Sequence, residues 1–328
     1  MTTDVEHPSR VDFLVVGSAR SGTTLVQRLA CEIPGVRMPA ETHFFSGFAR
    51  DLLGRVAFPL SGAALADEIG RFLDRDNARG LDLDIDATMR DLDGTCISPF
   101  ALFDALVRGL AGPAQVWGEK TPDHLLWWRP IGRAAPWVRF VVVVRDPRAV
   151  VASSMSVPWR DNPELREWGP RVHLALAQRW AIDQHQAAGL STDLGPQRCL
   201  VLRYEDVVVD PDAARSNLSN FLGRPLTGGL QVPPSHIVHA WEPWKHRALE
   251  AVGDDRVASW RTELTPRQAM EVAAVCRDGM RRFGYRPYPG PAHTAWATMR
   301  IGRRARGELA KLRDAYRWYQ WEIDRRAL

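Results

Sequence analysis

The stretch from Val11 to Ile33 constrains the chain most. VDFLVVG reads as a buried strand, GSARSGTT as a turn bracketed by Gly17 and Gly22, and TTLVQRLACEI as an apolar-periodic helix. A strand feeding a helix through a glycine turn is the opening unit of a parallel α/β sheet, and the following segments repeat the alternation. VRFVVVV, residues 138–144, is a near-continuous β-branched run, as suits a central parallel strand covered on both faces. The next helix begins at Pro147, whose fixed φ fits a first helical turn. A short extended stretch is expected at Val36–Met38, and helices over His43–Leu53, Ala63–Asp76, Phe100–Leu110 and Leu174–Gly189. CLVLRY (199–204) reads as another buried strand, followed by a helix from Asp210-Pro211 to Leu222. Leu226–Glu263, rich in Pro, Trp and His, reads as a long irregular loop, and Pro266–Phe283 as a closing helix. One domain over residues 1–290 is expected, with PYPGP marking the boundary to a tail at 291–328.

Charge separates these two parts. Between His293 and Leu328 there are nine Lys+Arg against four Asp+Glu, whereas the rest of the chain holds 34 against 35. A near-neutral body argues against a nucleic-acid partner and assigns the basic character to the tail. There Leu309, Leu312, Tyr316, Tyr319 and Ile323 recur at spacings of three and four, which puts them on one helix face. Packing on the body, pairing in a homodimer and peripheral membrane contact are the three uses such a basic amphipathic helix suggests. Apolar runs such as Phe140–Val144 are far shorter than the ~20 residues of a membrane span. The opening MTTDVEHPSR holds no apolar leader, and the four cysteines form no C-x-x-C pair, so a cytoplasmic location is expected.

Backbone amides at the GSARSGTT turn, with a helix dipole behind them, make an anion cradle. The glycine spacing matches the nucleotide P-loop G-x-x-x-x-G-K-[ST], which points to a P-loop-like three-layer fold, a central parallel sheet flanked by helices. Thr23 stands where that loop has its lysine, and the nearest cation is Arg20. A nucleotide kinase without that lysine loses its main contact to the β and γ phosphates. A P-loop kinase and a non-catalytic nucleotide-binding scaffold are therefore the rival readings.

GSARSGTT resembles the 5′-phosphosulfate loop of sulfotransferases that use 3′-phosphoadenosine 5′-phosphosulfate (PAPS). VVVVRDPRAVVASSM resembles their 3′-phosphate segment, which places Arg145 and Ser153 on that phosphate. RYED (203–206), GEKTP (118–122) and VASWR (257–261) follow the same family's order. The resemblance implies PAPS as donor, no metal, and a cradle of Arg20, Ser21, Gly22, Thr23 and Thr24, with Tyr204, Arg256 and Trp260 also near the nucleotide. Adenine must stack elsewhere than on the tryptophan many cytosolic members carry at the position of Leu25, and Trp260 and Tyr204 are the candidates. Their K-x-H motif is also missing, since Thr121-Pro122 follows Lys120.

Sulfuryl transfer needs a base for the acceptor proton. Glu41-Thr42-His43-Phe44-Phe45 resembles the E-x-H-F-F segment of carbohydrate sulfotransferases, which makes Glu41 the general base, with His43 or His124 as alternatives. Beside Phe44 and Phe45, His43 itself is expected to be packed. Lys120, one of only three lysines, is expected to bind the sulfonate or the acceptor oxygen. His239, Lys245 and His246 lie in the irregular loop and suit an anionic group. The thirteen tryptophans suit a carbohydrate, a glycolipid or a small natural product as acceptor.

Overall fold

The computed structural model describes residues 10–156, 163–226, 229–231, 237–250, 252–286, 290, 293, 301–326 and 328. The strands are β1 (Val11–Gly17), β2 (Val36–Arg37), β3 (Leu60–Ser61), β4 (Thr95–Cys96), β5 (Val116–Lys120), β6 (Arg139–Val144) and β7 (Cys199–Arg203). Five of them form one parallel sheet in the order β2-β5-β1-β6-β7, and β3 pairs with β4 in a small antiparallel ribbon.

The apolar runs of the sequence divide between the two faces of this sheet. Phe140, Val142 and Val144 of β6 pack on one side with Leu14 and Val16 of β1, and Val141 and Val143 on the other with Phe13 and Val15. The register against β5 shifts between Val11 and Phe13, so Val11 falls on the same side as Leu14. Both faces are covered by helices, which is why these strands lack polar alternation. The fold is α/β, with a central parallel sheet between helical layers.

Several elements differ from expectation in detail. The segment after Glu41 opens with a wide π-helical turn, Phe44–Phe48, before the helix Ala49–Arg55. The helix begun near Leu174 is longer, Val172–Arg198, and breaks at Gly195 just before Pro196. Pro266–Phe283 divides into helices Pro266–Val275 and Arg277–Arg282. The irregular loop contains a 3₁₀ segment, Pro243–Leu249, and a short helix, Trp260–Glu263. Most of PYPGP lies outside the described residues.

The helix Arg303–Asp324 of the tail lies on the body against Val172–Arg198 and residues 122–134. Ile323 and Leu309 of the apolar stripe are buried. The Gln320 side chain donates to the Leu126 carbonyl at 2.8 Å, and Arg133 to the Asp324 carbonyl at 2.6 Å. Among the described residues no helix is long and apolar enough to cross a membrane.

Candidate active site

Strand β1 lies between β5 and β6, so the chain leaves it toward one side of the sheet and later returns on the other. Such a switch of direction opens a crevice at the carboxyl ends of the strands. Gly17 ends β1, Lys120 ends β5, and Arg145 and Tyr204 directly follow β6 and β7.

The turn after β1 is shaped by two glycines. A Cβ on Gly17 would stand 2.4 Å from the Val143 carbonyl oxygen, and one on Gly22, at φ 92°, would stand 2.3 Å from the Tyr204 ring. Arg20 between them takes a left-handed φ of 69°, a strained choice for a side chain of that size. The Ser21 amide closes the turn on the Ser18 carbonyl at 3.2 Å. The helix Thr23–Cys31 then starts without a capping side chain and without an acid in its first turn. Its amide end is therefore the positive pole of the crevice.

Arginines gather around this turn. Arg20 Nε donates to Ser153 Oγ at 3.1 Å, while Arg145 donates to the Arg20 carbonyl at 3.0 Å and the Arg256 carbonyl at 2.8 Å. The Arg145 guanidinium lies 4.1 Å above the Tyr204 ring, and Trp180 Nε1 holds the Arg145 carbonyl at 3.1 Å. Burial, and then the charge of Arg145, pull the Arg20 guanidinium below its ordinary range. Burial likewise lowers Arg145, and Arg256 adds to the effect. Two polar atoms, Ser21 Oγ and Arg145 Nε, are buried with no hydrogen-bond partner among the described residues. Clustered cations and unmatched donors fit an anion.

Across the crevice Glu41 is buried and receives three cationic or ionisable groups. Lys120 Nζ contacts its Oε1, Lys245 Nζ lies 2.5 Å from the same oxygen, and His43 Nε2 lies 3.1 Å from Oε2. Burial alone would raise Glu41, but Lys120, Lys245 and His43 hold it well below the usual carboxylate range. Burial lowers Lys120 in spite of Glu41, whereas His43 is raised because Glu41 outweighs its burial. Lys120 also donates to Thr24 Oγ1 at 3.2 Å, which ties the acid to the phosphate turn. His239 Nε2 is 3.0 Å from the Glu41 carbonyl oxygen and steadies its backbone.

The two histidines of this region differ in use. His124 is fully buried, takes the Phe45 amide on Nε2 at 3.1 Å and sets Nδ1 2.9 Å from Glu119 Oε2. Fully buried and off the cavity wall, it anchors the Glu41–Phe45 segment instead of meeting an acceptor. His43, expected to be packed with Phe44 and Phe45, instead faces the cavity at a left-handed φ of 48°. The backbone turns there because Thr121 Oγ1 takes the His43 amide at 3.2 Å and Glu119 takes the Thr42 amide at 3.1 Å.

All of this opens on one cavity of about 770 Å³. Arg20, Gly22, Thr23, Thr24, Glu41, Arg145, Ser153, Tyr204 and Arg256 line it; Ser21 and Lys120 lie just behind its wall. Trp260 does not line it. Arg148 and Arg261 cover its ring at 4.1 and 4.8 Å within the core around Val150 and Val272, so the ring is not open to stack on a base. Of the two stacking candidates only Tyr204 reaches the cavity. Residues not singled out beforehand also line it: Asp123, Arg179, Asp183 and Glu242. Arg179 and Asp183 are four residues apart on a helix, the spacing of an ordinary surface pair, so no sequence signal marked them.

Residues 12–228 match the model of the family described as the sulfotransferase family. A Gallus gallus protein-tyrosine sulfotransferase 2 is 23% identical over 84% of this chain and 69% of its own length. A Homo sapiens carbohydrate sulfotransferase 3 is 26% identical over 45% of this chain, which spans only 34% of that protein. Among solved structures, the sulfotransferase domain of the Synechococcus PCC 7002 olefin synthase superposes with a TM-score of 0.54 at 19% identity, covering 87% of this chain and 98% of that one. The sulfotransferase domain from the curacin biosynthetic pathway gives 0.56 at 20%, covering 84% and 98%. At such identities these two structures speak for the fold.

Proposed function

This chain belongs to the sulfotransferase family, and on that premise we propose that it moves a sulfuryl group from PAPS to an acceptor hydroxyl with Glu41 as general base. When bound, PAPS supplies a sulfuryl group on a phosphate leaving group. The residues present fit it: a helix start without a side-chain cap, the unmatched Ser21 Oγ and Arg145 Nε, and three arginines on one wall.

Arg145, Ser153 and Arg256 hold the 3′-phosphate, and Tyr204 offers the aromatic face beside it. The amides of Gly22 to Thr24 and the Ser21 hydroxyl hold the 5′-phosphosulfate, with Arg20 and Lys120 meeting the charge that grows on the leaving oxygen. Glu41 accepts the acceptor proton as the new S–O bond forms and the old one breaks in line. An anion beside Lys120 and Lys245 offsets the charge that holds Glu41 low, so the carboxylate becomes more basic when a donor is in place. His43 orients the acid from its other oxygen.

The observation that carries this reading is Lys120, whose ammonium touches both Glu41 and Thr24 and so puts base and phosphate turn within one side chain of each other. Titration with 3′,5′-adenosine bisphosphate (PAP) in the absence of Mg²⁺ tests the donor half, and label transfer from PAPS to an acceptor panel tests the chemistry. Binding of Mg-ATP alone would replace the reading with a kinase, and PAP binding without transfer to any acceptor would leave a scaffold. The family relatives carry names that span protein and carbohydrate acceptors, so kinship does not choose the acceptor, and the panel holds carbohydrates, small molecules and tyrosine peptides.

A further inference from the structure

The family match ends at residue 228, yet the cavity wall does not. Leu312 and Tyr316 of the helix Arg303–Asp324 line the same space as Glu41, together with Leu165, Trp168 and Leu176. Tyr316 is held there by chemistry. Arg179 donates to its hydroxyl at 2.8 Å, to Asp183 at 2.9 Å and to Asp123 at 2.6 Å. The guanidinium also lies 5.1 Å from the Tyr316 ring. The network reaches both halves of the site, because Gln184, next to Asp183, donates to Ser18 Oγ at 3.2 Å in the phosphate turn. On the other side Asp123 lies two residues beyond Thr121, which binds the His43 amide.

We propose that Leu312 and Tyr316 are specificity-determining residues, and that the C-terminal helix selects an uncharged hydroxyl acceptor carried on an apolar body. Two arguments lead there. Leu165, Trp168, Leu176 and Leu312 give the cavity an apolar wall whose burial rewards an alkyl or aryl group. Arg179, which lines that wall, is already met by two carboxylates, so among the described residues there a sulfated or uronic acceptor finds no free positive charge. Leu165, Trp168 and Leu176 come from the body, and among the described residues Leu312 and Tyr316 of the tail helix complete this wall, where Trp168 packs against the cluster that holds Leu309. The proposal rests on the sulfuryl-transfer reading for the hydroxyl, but the wall can be tested without turnover.

Octyl glucoside below its micelle concentration and glucose share the hydroxyls at C2, C3, C4 and C6 and differ at the anomeric oxygen, which carries the octyl chain in the first. Calorimetric titration of each into the full chain, with and without PAP, reads the wall directly. Octyl glucoside is expected to bind at least about tenfold tighter than glucose, since even one methylene in an apolar pocket is worth about that much. Leu312→Asp is expected to abolish the difference with PAP affinity unchanged. Tyr316→Phe, which keeps the ring and removes only the hydroxyl, is expected to weaken octyl glucoside about threefold, the size of one hydrogen bond. Equal binding of the two sugars overturns the proposal, as does an alkyl preference that survives both substitutions. Absence of PAP binding in the unaltered chain would instead count against the sulfuryl-transfer reading, and the titrations without PAP would still decide the wall. Should Leu312→Asp lose PAP binding through misfolding, Tyr316→Phe carries the decision.

Discussion

The two halves of the cavity are built in opposite ways. The donor half comes from short contiguous segments, the turn from Gly17 to Thr24 and the strand end and helix at Arg145–Ser153, and it leaves Ser21 Oγ and Arg145 Nε without a hydrogen-bond partner among the described residues. The acceptor half is drawn from segments far apart in sequence, with Asp123, Arg179, Asp183 and Tyr316 satisfying one another. One half gathers arginines around the turn, and the other pairs its arginine with two carboxylates. Affinity for the donor should therefore depend on single residues, whereas acceptor choice should depend on shape and on a network.

Replacing the residue where the halves meet should have the largest effect. Glu41→Gln is expected to lower turnover by about 10²–10⁴ with PAP affinity within a few-fold, because a base acts on the acceptor alone. Near-normal turnover at saturating acceptor would pass the role to His43, since His43 lines the cavity and His124 is fully buried away from it.

The acceptor half should show itself in the pH dependence of stability. Burial pushes the Asp183 carboxyl up to about 6 from 3.8, Arg179 notwithstanding. The folded chain then holds this proton more tightly than the unfolded one, so its stabilising contribution is full below about pH 4 and lost as pH rises through about 6. Relative to Asp183→Asn, the unaltered chain should lose up to about 3 kcal/mol over that window and nothing further above it. Urea unfolding of both proteins from pH 4 to 7 measures the difference, and a constant gap would remove the titration from Asp183.

The smallest expected effect is on the donor side. Arg145→Ala should weaken PAP by about 1.5–3 kcal/mol, one charge-assisted phosphate contact, without altering the preference between acceptors. Trp260→Phe, made off the cavity wall, should leave PAP affinity unchanged. Calorimetry on the two variants would blur the contrast between the halves if Trp260→Phe cost as much as Arg145→Ala.

The same division governs what could be read from the sequence. β1 and β6 were legible because a strand covered on both faces has no reason to carry polar residues. The phosphate turn was legible because tight backbone passages require glycine at fixed positions. Trp260 misled because its neighbours in sequence belong to a nucleotide motif, while Arg148, more than a hundred residues upstream, covers its ring. Lys245 was noticed only as a cation in an irregular loop; its meeting with Lys120 on one carboxylate oxygen depends on how that loop folds back over the sheet. Arg179 and Asp183 were invisible for a similar reason, since a helical pair acquires meaning only from what packs on it, here Tyr316.

The scarcity of lysine has a practical consequence. Of 43 basic residues three are primary amines, and two of these are shielded at Glu41, with side chains 1% and 13% exposed. The third, Lys311, is exposed on the C-terminal helix directly before Leu312. Apart from the chain's amino terminus, amine-selective reagents thus meet a single open side chain, one residue before a residue of the cavity lining. A fluorophore attached there would report on the helix that carries Leu312 and Tyr316, a position that an arginine-rich composition leaves almost free of competing labels.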